Sequence, residues 1–162
     1  MAAQSLEVVV FEVGGRRYGL PAADVREIVR AAALTPLPRA PAIVEGILNL
    51  RGRIVPVLDI RARFRLPPRP IQPSDHLIIA LGSAGERAVA IRVDRATDLV
   101  RLSAEDVEDA RGAVPGAEYV AWVAKFPNDL VLIHDLRTFL SRAESAALDE
   151  ALPISPPEGG SP

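Results

Sequence analysis

Short runs of alternating apolar and polar residues, punctuated by glycine and proline, make up most of this chain. Leu6 to Val13 predicts a strand with Val9, Phe11 and Val13 on one face. Gly14-Gly15 supplies a turn, and Arg17 to Leu20 returns as a second strand. Pro21 to Asp24 reads as a turn or a single helical turn. Val25 to Arg30 alternates, with Arg26 and Arg30 facing outward. Glu27 breaks the pattern by falling on the side of Val25 and Val29. Either the strand bulges there or the carboxylate points into a groove. Prolines 36, 38 and 41 make the next connection irregular.

The stretch from Ile43 to Ile60 holds two β-rich runs around Leu50-Arg51-Gly52, the pattern of a hairpin with glycine at its last loop position. Pro56 has no N–H to give a ladder, so its strand should lie at an edge or turn that side away from a partner. Prolines 67, 68, 70 and 73 predict a stiff linker. The second half opens with a strand at His76 to Leu81, a turn at 82–85, and strands at Arg87 to Val93 and Arg95 to Leu102. Ser103 to Asp106 resembles a short helical cap, and 111–116 is loop. Glu118 to Phe126 and Leu130 to Asp135 form a hairpin around Pro127-Asn128-Asp129. Leu136, Phe139, Leu140, Ala143, Ala147 and Leu148 have helical spacing within 137–151. The Pro/Gly/Ser-rich tail 153–162 is expected to be disordered.

The two halves repeat each other. Gly14, Arg16, Leu20, Ile28, Val29 and Arg30 align with Gly85, Arg87, Ile91, Leu99, Val100 and Arg101, an offset of 71, and Glu27 falls on Asp98. Val44, Ile47, Ile54, Val55, Val57, Asp59 and Arg61 align with Val120, Val123, Leu130, Val131, Ile133, Asp135 and Arg137, an offset of 76. Two copies of about five strands imply two small barrels or half-barrels, about 5–66 and 76–150, within a single domain of 5–150. Each is too small to hold much core alone, so they should share one. The duplicated turn differs: Leu50-Arg51-Gly52 against Phe126-Pro127-Asn128.

Composition narrows the chemistry. With 49% apolar but only 4% aromatic residues, the core must be aliphatic. A net charge of −2 is not that of a nucleic-acid binder. The absence of cysteine excludes disulfides, thiolate nucleophiles and Cys-ligated metal. No run approaches the ~18 apolar residues of a membrane span, and the N-terminus lacks a signal-peptide pattern, so a cytoplasmic protein is expected.

Val25-Arg26-Glu27-Ile28, Leu37-Pro38 and especially Gly46-Ile47-Leu48-Asn49-Leu50-Arg51-Gly52, followed by Ile54-Val55-Pro56-Val57-Leu58-Asp59-Ile60, resemble the CheW family of chemotaxis coupling proteins. Val93-Asp94 and Asp98-Leu99-Val100 fit that pattern too, so the likeness runs over about residues 5–150. The resemblance implies a mainly β fold of two five-stranded SH3-like barrels around a joint core, with a C-terminal helix. It implies a non-enzymatic adaptor, without cofactor, that couples the cytoplasmic tip of a chemoreceptor (a methyl-accepting chemotaxis protein) to the regulatory domain of a CheA-type histidine kinase. It would be cytoplasmic and recruited to membrane-associated arrays. Val25, Glu27 and Arg51 match receptor-contacting positions. Ile47 and Leu50 join Val25 as walls of the apolar trough that a docked helix needs, with Gly52 completing the turn. The kinase-binding surface is not assignable by residue. With no room for a kinase or receiver domain, the chain reads as the free-standing adaptor.

Each residue also has a plainer reading. Arg51 read alone is a solvated turn residue; its glycine neighbour, the apolar arch and its loss in the second copy leave that reading and a contact role both open, and the resemblance implies the contact. Glu27 is a solvated carboxylate or an ion-pair partner of Arg51 or of a receptor arginine. His76 and His134 lack ligand spacing for a metal, and His134 reads as a core or rim histidine. Asp59 and Asp135 suggest paired acid–base groups, but capping of the following turn is the better account. Leu66 to Pro70 is a linker before it is an SH3-type ligand. Arg51, Arg53, Arg61, Arg63, Arg65 and Arg69 read as a solvated face, or as a contact for an acidic partner or lipid head groups. A small-molecule-binding barrel is the alternative function, and it needs an enclosed apolar cavity.

Overall fold

The structure is a computed structural model, in which residues 5–81, 87–110, 120–135, 139 and 141–152 are described. The elements are β1 (Ser5–Val13), β2 (Arg16–Pro21), β3 (Val25–Arg30), β4 (Val44–Leu50), β5 (Arg53–Leu58), β6 (His76–Leu81), β7 (Ala88–Val93), β8 (Arg95–Ser103), β9 (Val107–Asp109), β10 (Val120–Phe126), β11 (Asp129–His134) and α1 (Arg142–Ala151). Single 3-10 turns at Ala22–Asp24 and Ala104–Asp106 stand where helical turns were expected. The loop 111–116, the turn 82–85 and the tail 153–162 lie outside the described residues.

The strands form two sheets, β8-β1-β2-β11-β10-β9 and β3-β6-β7-β5-β4. In repeat order, β6, β7, β8, β10 and β11 are the second copies of β1, β2, β3, β4 and β5. Each sheet therefore joins the first two strands of one copy to the last three of the other. The expected division into barrels at 5–66 and 76–150 gives way to this exchange. Its physical cause is two short parallel ladders, Leu132/Ile133 against Tyr18/Gly19 and Val57/Leu58 against Ala90/Ile91. The ladder of β5 with β7 starts one residue after Pro56, so the missing donor falls where no rung is needed, although β5 is an inner strand.

Irregularities repeat as well. Arg26 of β3 and Thr97 of β8 are each skipped in the register, as are Glu45 of β4 and Ala121 of β10. The isolated bridge Thr35–Ile47 matches Glu108–Val123, the pairing of β9 with β10.

Alternation explains the core. On β1, Val8 and Val10 face a cluster inside the first sheet with Leu102, Ala124, Val131 and Ile133. Val9, Phe11 and Val13 face the other way, into a core that includes Ile78, Ala80, Ile91 and Val93 of the second sheet. On β6, Leu77 and Ile79 turn into the second sheet's own cluster with Leu48, Val55, Val57 and Ala90. The central strands are thus apolar on both faces, which suits an aliphatic sequence. Phe139 and Leu148 plug the shared core from the C-terminal side. α1 starts at Arg142 rather than 137, because Ser141 and Glu144 form a capping box. Residues 136–138 and 140 lie outside the described residues.

The proline-rich connection is strapped down. Arg61 donates to the Pro67 carbonyl at 3.1 Å and Arg92 to that of Arg69 at 2.8 Å. Arg69 bridges Asp75 at 2.7 Å and Asp94 at 2.6 Å. Arg61 reaches Asp94 at 2.9 Å, and Arg63 pairs with Glu144. Arg61, Arg63 and Arg69 are therefore structural and not part of a solvated face. Asp59 accepts from the Arg61 N–H at 3.1 Å, the turn-capping role expected of it. Burial pushes the Asp94 carboxyl up, but bonds from Arg69, the Gly14 N–H and Arg61 outweigh burial and hold it below the usual range.

Asp94→Asn is expected to lose about 2 kcal/mol at neutral pH. A depressed folded-state pKa adds stability above the unfolded carboxylate value of about 3.9 and loses it as the pH falls through the folded value. The difference in Tm between wild type and variant, followed by calorimetry, should be full at pH 7 and shrink below about pH 4. A difference independent of pH would show that the charge is not responsible.

Candidate functional site

β4 and β5 meet in a two-residue turn, since Leu50 pairs with Arg53 and leaves only Arg51 and Gly52 outside the ladder. Leu50, expected in the loop, is the last residue of β4. Arg51 has φ +51° and Gly52 φ +86°, the signature of a type I′ turn, whose twist matches that of the strands. An arginine in this region costs about 1 kcal/mol. Asn49 offsets the strain by accepting the Gly52 N–H at 2.8 Å. The copy in β10–β11 turns at Pro127-Asn128, neither with positive φ.

Arg51 forms an ion pair with Glu27. The bulge at Arg26 makes this geometry: it turns Val25 toward the shared core and leaves Glu27 on the groove side of β3. Of the two readings of Glu27, bulge and groove-facing carboxylate, both hold. The Arg51 side chain is 70% exposed and that of Glu27 32%, so the pair sits at the surface with donors to spare.

Below the pair lies a groove of about 250 Å³ lined by Arg26, Glu27, Leu50, Arg51, Arg53, Val55, Ile79 and Ala88. It is the mouth of the second sheet's barrel. Glu27, Leu50 and Arg51 come together there, with Gly52 at the adjoining tip. Val25 and Ile47, expected as walls, do not line it. Val25 packs on the shared core, and Ile47, three residues from Leu50 in unbroken register, lies on the opposite face of β4, with its N–H donated to the Thr35 carbonyl at 2.7 Å. Asn49, Val55, Ile79 and Ala88 were not foreseen. Val55 was within reach, since alternation from Val57 puts it on the same face. Ile79 and Ala88 arrive only through the strand exchange.

The equivalent end of the other barrel is lined differently, and its Arg17 and Asp129 also border an open depression. Ala88 is replaced at that end by Arg17, which pairs with Asp129 at 3.2 Å and lies 5.0 Å over the Phe126 ring. The depression, of about 640 Å³, is also lined by Arg16, Tyr18, Leu130 and Leu132 among others. The barrel interiors are filled by their own side chains. His134 is buried among Tyr18, Phe64 and Phe139, with ring centroids 4.7–5.7 Å away, the core role expected of it. His76 accepts the Ala96 N–H at 3.2 Å. Among the described residues no group of three or more His, Cys, Asp or Glu could hold a metal ion.

A family model described as CheW-like domain matches residues 7–144. The chain belongs to the CheW family. It is 29% identical over 145 residues to the chemotaxis protein CheW of Treponema pallidum, covering 87% of this chain and 85% of that one. It is also 29% identical to the CheW of Bacillus subtilis over 149 residues, 90% and 94% of the two chains. The crystal structure of the scaffolding protein TtCheW from Thermoanaerobacter tengcongensis superposes with a TM-score of 0.78 at 26% identity, covering 87% of this chain and 96% of that one. The two sheets are thus the two SH3-like barrels of the CheW fold, and the NLRG segment that carries the resemblance is the turn above the groove.

A Cβ on Gly52 would meet nothing within 4 Å, so only its φ resists substitution. Gly52→Ala should cost about 1 kcal/mol in urea unfolding. A much larger loss would show that the hairpin tip is packed rather than free.

Proposed function

We propose that the open barrel mouth receives the helical tip of a chemoreceptor while another face of the chain holds the regulatory domain of a CheA-type histidine kinase. As a CheW-family protein the chain is a chemotaxis adaptor that couples receptors and kinase. The observation that supports this placement is the Arg51–Glu27 pair over an apolar mouth, an arrangement found in one barrel and absent from its copy. A docked helix lays apolar side chains on Leu50, Val55, Ile79 and Ala88. The guanidinium fork of Arg51 meets a carboxylate or carbonyl of the helix, and Glu27 holds the fork in place. An exposed ion pair is worth about 0–1 kcal/mol, so it yields to an intermolecular partner at little cost.

The action is one of binding: the adaptor fixes the kinase in a geometry that the receptor controls, and no bond is made or broken. No helix among the described residues is long and apolar enough to cross a membrane. Recruitment from the cytoplasm to receptor arrays then follows from the receptor contact.

Arg51→Glu sets two carboxylates face to face. Binding to a soluble receptor cytoplasmic fragment, measured by calorimetry, should weaken at least about tenfold. The Tm should move by less than about 3 °C, because the lost pair is exposed. Retention of the kinase in a pull-down should be unchanged. Equal receptor affinity for variant and wild type would sink the placement, and a wild type that binds neither partner would sink the adaptor reading.

A further inference from the structure

The barrel that carries the open mouth is built in layers along its axis. At the mouth stand Glu27, Leu50, Val55, Ile79 and Ala88. Two residues further along each strand, Val29, Leu48, Val57, Leu77 and Ala90 form an apolar middle. Beyond that, about 13 Å from the mouth at the rise of a strand, the floor is charged: Glu45, Asp59, Asp75 and Arg92. Arg92 stands at its centre, 3% exposed. It bonds Glu45 at 2.6 Å and Asp75 at 3.2 Å, and lies 3.7 Å from Asp59.

Those partners come from both sides of the sheet. Arg92 belongs to the middle strand, β7. Asp75 precedes β6, the strand that carries β3 and so Glu27. Glu45 and Asp59 stand at the base of the β4–β5 hairpin, which carries Arg51. One guanidinium thus ties together the two blocks whose relative placement decides whether Glu27 and Arg51 meet.

The fold itself does not need such a floor, and the chain contains its own control. At the equivalent positions of the other barrel Arg92 is replaced by Pro21 and Glu45 by Ala121, yet the same strand order, bulges and parallel ladder form. Buried ion pairs commonly stabilise no better than apolar residues of similar volume. Among the described residues, the buried arginine with its Glu45 partner and the Arg51-crowned mouth occur together in one barrel, while the other keeps only Asp135 at the position of Asp59.

We infer that Arg92 is a positioning residue: its clamp on Glu45, Asp59 and Asp75 sets the width and alignment of the mouth into which the receptor helix docks. The inference rests on the receptor reading of that mouth. It adds a buried determinant that never touches the partner.

The test is the double variant Arg92→Met, Glu45→Ala, which puts apolar residues at the two floor positions that are apolar in the other barrel. It leaves no carboxylate stranded, because Asp75 keeps Arg69 and Asp59 keeps the Arg61 N–H. The Tm should stay within about 3 °C of wild type. Affinity for a soluble receptor cytoplasmic fragment should fall about tenfold. The side-chain N–H signal of Arg51, followed by NMR in the unbound chain, should shift as its pairing with Glu27 loosens. Arg92→Met alone should instead lower the Tm by about 10 °C or more, since it strands Glu45.

If wild type and double variant bind equally, the clamp has no positioning role. If wild type fails to bind the fragment, the receptor reading fails instead, and the Arg51 signal alone then decides the clamp: an unmoved signal overturns it. Should the double variant not fold, Arg92→Lys, which keeps charge but loses the fork, takes its place in both measurements. Unchanged affinity and an unmoved signal at an unchanged Tm would again overturn the clamp.

Discussion

Two parallel ladders, each only a few residues long, decide the architecture. Where β2 lies beside β11 and β5 beside β7, each copy of the repeat hands two strands to the other. The consequence is that β1 and β6, and their hairpin partners, bury both faces, one in a barrel and one in the shared core. Neither half can be removed without opening both barrels. A chain of about 70 residues buries too little surface to be comfortable alone, and the exchange turns two marginal units into one core. The aliphatic composition follows from the same geometry, because positions wedged between a barrel and a shared core suit slim branched side chains.

On that symmetric scaffold, the proposed function rests on departures from symmetry. The mouth of one barrel is open at Ala88, crowned by Arg51 and backed by Glu27; at the same place in the other, Arg17 lies over Phe126. A type I′ turn with arginine in the left-handed region is a strained way to end a hairpin, and the chain supports it with Asn49. A buried arginine among carboxylates is a costly way to fill a floor, and burial still holds the Glu45 carboxyl above its usual range despite the bond from Arg92. The copy does without either feature. Strain at one end and buried charge at the other stand in the same barrel, the one whose mouth is proposed to receive the receptor.

Much of this was legible in the residues. Alternation predicts nearly every strand, and the repeat predicts the shared core, because period-2 burial is a local consequence of backbone pleating. The bulge at Arg26 was visible as Glu27 on the wrong side. Which strands of each half close which barrel was not legible, since strand pairing between distant segments leaves no mark in local periodicity. Val25 and Ile47 do not line this groove for two different reasons: the bulge at Arg26 re-aims Val25, and Ile47, three residues from Leu50 in unbroken register, lies on the opposite face of β4. The arginines 61, 63 and 69 read as surface and proved internal, because proximity to Asp94, Asp75 and Glu144 is set by chain segments 6 to 81 residues away.

The sequence by itself determined the strands, the duplication, the family and the residue at the hairpin tip. These depend on local pattern and on comparison of the chain with itself. Only the tertiary structure decided which copy supplies which wall, that Glu27 and Arg51 meet, and that Arg92 gathers three carboxylates beneath them. Those contacts join residues far apart in the chain, and the choice of partner is made by packing and strand exchange rather than by any short-range preference.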